Sequence, residues 1–69
     1  MALKDNIFYQ NRKAIEKISN ESHCEVGTAT RMWAKRHGHE NNRQALDEWD
    51  QACIKYMRDP KLTLADLFK

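Results

Sequence analysis

Between Ser22 and Gly38 the sequence SHCEVGTATRMWAKRHG carries both a helix start signal and a helix stop signal. Ser22 with Glu25 three residues on has the form of a capping box, in which the serine oxygen and the glutamate carboxylate each take up a free backbone N–H. Gly38 supplies the left-handed conformation that ends many helices. On a wheel of about 100° per residue, Val26, Ala29, Trp33 and His37 share one face. Thr28, Arg31 and Lys35 lie opposite, and Gly27 and Ala34 leave one flank slim. The spacing therefore predicts a helix over 22–37 with an apolar inner side and a basic, hydrogen-bonding outer row.

The flanking segments have helical periodicity too. Residues 3–19 are expected to form a first helix with Ile7, Phe8, Ala14, Ile15 and Ile18 on its inner side and Asn11 among them. Arg12 and Glu16 stand at the i,i+4 spacing of a surface ion pair. Tyr9 falls off the apolar side and is a candidate partner contact, since Tyr is enriched at binding hot spots. Residues 19–22, SNES, are turn formers.

A third helix is expected over about 42–58, after the connection GHENN, and Pro60 closes it. Ala45, Leu46, Trp49, Ala52, Cys53 and Tyr56 make its apolar face. Ile54 breaks that pattern by falling on the polar side, with Met57 at the boundary. This pair is a candidate dimer or partner contact. The tail KLTLADLFK has its own start signal in Thr63 and Asp66, and Leu62 and Leu67 stand where a hydrophobic staple closes. A short helix over 64–68 is expected to bury Leu64, Leu67 and Phe68. The fold class is therefore all-α: one domain over 1–69, a compact three-helix bundle with a short C-terminal fourth helix.

Residues 7–17, IFYQNRKAIEK, are similar to the recognition helix of homeodomains at Ile7, Gln10, Asn11, Arg12, Ala14 and Lys17. A homeodomain places that helix last, after two scaffold helices. Here it comes first and doubles as the apolar side of the first helix, so the likeness is confined to this segment and no homeodomain is inferred.

Composition narrows the function. A chain of 69 residues holds a modest core, and oligomerisation is a common remedy for that. Two cysteines, Cys24 and Cys53, are too few for a disulfide scaffold. No apolar run reaches membrane-spanning length, and no apolar run follows a basic start as in a signal peptide. A reducing cytoplasm with free thiols is the expected setting. Net charge is only +2, but Arg31, Lys35, Arg36 and Arg43 against Glu40 give residues 26–43 a local +3. A pI of 8.7 stays below the strongly basic range of many nucleic-acid binders.

Chemistry has few footholds. His23, Cys24, His37 and His39, with Cys53, contain metal-ligating types, but the spacing lacks a C-x-x-C half, so no metal and no cofactor is assigned. Cys24 in the first turn of a helix would feel the dipole that lowers a thiol pKa, yet no orienting third group accompanies it. No phosphate loop, nucleotide fingerprint or carboxylate pair is present. No enzymatic activity and no small-molecule substrate are expected.

Two binding readings remain. In the first, the chain is a small dimeric DNA-binding regulator. Its second helix acts as in a helix-turn-helix, Thr28 and Arg31 reading bases while Lys35, Arg36 and Arg43 hold phosphates. In the second, it is a helical inhibitor or adaptor that binds another protein through Tyr9, Ile54, Met57 and nearby basic side chains.

Overall fold

The computed structural model describes residues 3–69. It is all-α among these residues, with three long helices and a short C-terminal one, as the periodicity requires. A 3-10 turn at Leu3–Asp5 leads into α1 (Ile7–Gln10), α2 (Arg12–Ser22), α3 (Val26–His37), α4 (Arg43–Arg58) and α5 (Leu64–Leu67). Helices α2 and α3 pair with each other, while α1, α5 and the 3-10 turn gather on α4. The body is flat, with extents of 34 × 30 × 16 Å, so each long helix keeps a broad surface outside the core.

The expected first helix is divided, and asparagines divide it. The buried side chain of Asn6 accepts from the N–H groups of Phe8 (2.9 Å) and Tyr9 (3.3 Å), which caps α1. Its Nδ2 donates to the Ala45 carbonyl at 2.9 Å and so moors α1 to α4. Asn11 leaves helical geometry at φ −111°, ψ 22°, and its Nδ2 donates to the Ile7 carbonyl at 2.8 Å. Such local side-chain bonds compete with the helical ladder, which is why α1 stops after one turn.

The boundary near Ser22 also differs from expectation. Helix α2 runs through Ser22 and ends at His23, whose φ of 51° is left-handed. The Ser19 hydroxyl donates to the Cys24 carbonyl at 2.6 Å, and the Cys24 N–H donates to the Ser19 carbonyl at 3.1 Å. This closure takes the turn to residues 23–25 and uses Ser22 as a helical residue. The Ser22–Glu25 capping box therefore does not form, and Glu25 caps α3 with no side-chain bond. Gly38 ends α3 at φ 74°, as its position requires.

The core consists of Phe8, Ile15, Ala29, Trp33, Ala34, Trp49, Leu67 and Phe68. Helix α3 buries Ala29, Thr30, Trp33 and Ala34. His37, expected inward, is exposed because it lies in the last turn, beyond the packed part of the helix. It stacks on Trp33 with ring centroids 4.6 Å apart, and His39 stacks on the same indole at 5.5 Å. Ala14 is exposed as well, since α2 turns only its Ile15 side fully inward.

The tail packs in cis. Phe68 sits edge-on to Trp49 at 5.9 Å, and Tyr9 meets the same ring from another side at 6.4 Å. Arg12 does not pair with Glu16. Its guanidinium lies 4.2 Å from the Tyr9 ring centroid and donates twice to the Lys69 carbonyl, at 3.1 and 2.6 Å. Arg12 thus ties the end of α5 to the start of α2.

The Thr63 N–H donates to Asp66 at 2.9 Å, within the expected capping box. That bond, the Lys69 ammonium at 3.2 Å and the Thr63 hydroxyl hold the Asp66 carboxyl below its ordinary 3.8. A carboxyl lowered by folding contributes its stability above the unfolded value and loses it as pH falls through the folded value. The difference in near-UV dichroism between the parent and Asp66→Asn is therefore expected to be full at neutral pH and to vanish in acid below the unfolded value of 3.8. Asp66→Asn is expected to show the looser tail already at neutral pH.

Candidate functional site

Helix α4 carries more apolar surface than one core contact consumes. Ala45, Trp49, Ala52 and Tyr56 follow the spacing of a core-facing stripe. Asp50, Cys53, Ile54 and Met57 form a second stripe, at i, i+3, i+4 and i+7, and this stripe lines a groove of about 490 Å³. Across from it stand Val26 and Gly27 at the start of α3, with Glu25 just before them. Leu64 of α5 and Ser19 of α2 complete the walls. Ile54 is 40% exposed and Met57 68% exposed, the two large apolar side chains that the described residues leave open to solvent.

The groove follows from how α3 and α4 meet. They are pinned at Thr30, whose Oγ1 accepts from the Trp49 indole at 2.8 Å, and at the Arg31–Asp50 ion pair at 2.9 Å. Toward the start of α3 the facing side chains shrink to Gly27, and none of the described residues fills the space beside Cys53 and Met57. Apart from the Arg31 guanidinium, 3.7 Å from where a Cβ would stand, Gly27 presents bare backbone to its surroundings.

The basic residues do not form one surface. Arg31 is engaged: besides Asp50, its guanidinium donates to the Gly27 carbonyl at 3.1 Å. Arg31 and Arg43 line a shallow depression together with Asp47 and Asp50. Arg36 stands on the other flank of α3, beside Lys17 and Glu21 of α2. Thr28 and Lys35 are exposed on α3. Lys35, Arg36 and Arg43 enter no ion pair among the described residues.

Of the expected partner contacts, the structure brings Ile54 and Met57 into the groove and leaves Tyr9 elsewhere. Tyr9 is half-buried between Arg12 and Trp49 rather than free at the surface. Sequence reading missed Val26, Gly27 and Leu64 as groove walls. The one available signal was that Ile54 and Met57 continue a helical stripe with Asp50 and Cys53.

The groove holds one thiol, Cys53, and its setting makes it inert. Burial, with the Asp50 carboxylate adding to it, pushes the thiol up to about 11. A protonated thiol is a poor nucleophile. Alkylation with iodoacetamide at about pH 8 is therefore expected to leave Cys53 largely unmodified when Cys24 has reacted; peptide mass mapping reads both sites, and equal rates would contradict the assignment. Cys24 itself lies before α3, outside its first turn, and is half-buried. Among the described residues no three His, Cys, Asp or Glu side chains come together to hold a metal. None of their helices is long and apolar enough to cross a membrane.

No protein-family model, curated protein or solved structure matches the chain.

Proposed function

We propose that this chain is a non-enzymatic helical module that binds a partner protein, with the groove between α4, α5 and the start of α3 as its docking site. The observation that carries this reading is the second stripe of α4. Four residues at helix-packing spacing line a concave, largely apolar surface that no part of the described chain covers. A groove of this form takes an amphipathic helix, read as anchors at i, i+3, i+4 and i+7. A free thiol at its floor suits a reducing cytoplasm.

DNA binding through α3 is the second reading. Exposed Thr28 and the unpaired Lys35, Arg36 and Arg43 favour it. Asp50 beside Arg31 counts against it, because it sets a carboxylate next to the guanidinium that would face the DNA backbone. Glu25 at the start of α3 also repels phosphate where a recognition helix enters the groove.

Two sets of variants separate the readings. Ile54→Asp with Met57→Asp is expected to abolish partner capture while changing stability by less than about 1 kcal/mol, because both side chains are exposed. Lys35→Ala, Arg36→Ala and Arg43→Ala together are expected to leave capture intact. The opposite pattern, with duplex DNA binding that falls steeply as salt rises, supports the DNA reading. Gly27→Ala adds a third handle. It is expected to stabilise α3 by up to about 1 kcal/mol in thermal unfolding, yet to weaken partner binding by placing a methyl on the groove wall.

A further inference from the structure

We infer that the occupant is a single amphipathic helix of a partner protein that carries a Lys or Arg beside its apolar stripe, and that this cation takes Asp50 over from Arg31. The inference rests on the groove reading above and adds the shape and charge of what enters.

Shape favours a rod over a second copy through this face. A two-fold dimer sets the same patch against itself, and a concave groove against itself encloses a void. A rod about 10 Å wide, the diameter of a helix with its side chains, fits where a second groove does not.

Charge decides what kind of helix enters. The residues lining the groove include two carboxylates, Glu25 and Asp50, and no basic side chain. Glu25 is exposed and joins no ion pair among the described residues. Among the described residues Asp50 is held only by Arg31, and the pair is open to water, with side-chain exposures of 31% and 58%. An exposed pair of this kind contributes little, so exchanging one cation for another costs little. Arg31 reaches Asp50 from α3, lying over Gly27 at the groove's edge. A cation on an incoming helix meets the same carboxylate from the groove side. An acidic helix would set like charges against both walls.

Three synthetic helical peptides test this. They share one stripe of leucines and differ only in flanking Lys, Gln or Glu. Methyl NMR of Ile54 and Met57 reads the site, and Met32, on another side of α3, serves as control. The Lys peptide is expected to shift Ile54 and Met57 but not Met32, and to bind about tenfold tighter than the Glu peptide. Asp50→Asn with Glu25→Gln is expected to erase that preference while leaving the methyl shifts in place. Equal affinities for the three peptides, with Ile54 and Met57 still shifted, would overturn the charge assignment and leave the groove standing. A preference that survives the double variant would overturn it too. Peptides that shift neither methyl would overturn the groove itself.

Discussion

Trp49→Ala is expected to leave no cooperatively folded protein at room temperature. Trp49 is the largest of the fully buried side chains. It touches three elements at once: Tyr9 of α1 edge-on, Phe68 after α5 edge-on, and Thr30 of α3 through its indole N–H. Truncating a buried Trp costs about 3–5 kcal/mol. A chain of this length has about 3–10 kcal/mol in all, so the loss consumes most or all of it. The milder Thr30→Val keeps the volume and removes only the acceptor. It strands the indole N–H in the core and is expected to cost about 1–3 kcal/mol. Denaturant unfolding followed by far-UV dichroism checks both. A Trp49→Ala protein that still unfolds cooperatively, within about 1 kcal/mol of the parent, would mean that α4 does not organise the fold.

Asn6→Ala is expected to be the most damaging polar substitution, at about 2–3 kcal/mol. One amide does two tasks in a site that is 1% exposed. Its oxygen caps α1 through Phe8 and Tyr9, and its nitrogen binds the Ala45 carbonyl. Alanine leaves these buried groups without partners. Asn6→Asp separates the tasks, because aspartate caps as well as asparagine but sets a second oxygen against Ala45. It is expected to retain α1 and to release it from α4, seen as fast amide exchange at Ala45 and its neighbours with Phe8 still protected. Equal protection at both places in Asn6→Asp would show that the bond to Ala45 contributes nothing.

Much of this fold is legible in the chain. Gly38 and the Asp59–Pro60 step fix helix ends because their backbone chemistry leaves few alternatives. The period of Trp49 and its neighbours places the inner face of α4, and Thr63 with Asp66 announces the tail helix. The segment from Leu3 to Glu25 reads less well, for a definite reason. An asparagine within an apolar pattern counts as a tolerated interruption, whereas Asn6 and Asn11 use their side chains to start and stop helices. Ser22 and Glu25 have the form of a capping box, yet Ser19 and Cys24 close the turn first, and no local pattern ranks one closure over the other. Thr30 is illegible for a different reason. Its burial follows from a hydrogen bond to a tryptophan nineteen residues away. The candidate site divides along the same line. Ile54 and Met57 stand out in the sequence as apolar residues off the main face. Gly27 and Leu64 become part of the same site only when α3 and α5 are folded onto α4.

A photoreactive benzophenone side chain at position 57, compared with the same group at position 35, tests the docking site most directly in the cell. Both positions are exposed, and they lie on different surfaces. Irradiation is expected to give a discrete, nuclease-resistant protein adduct from position 57 that disappears with Ile54→Asp, and none from position 35. A nuclease-sensitive adduct from position 35, with nothing from position 57, would contradict the groove as the working surface of this protein.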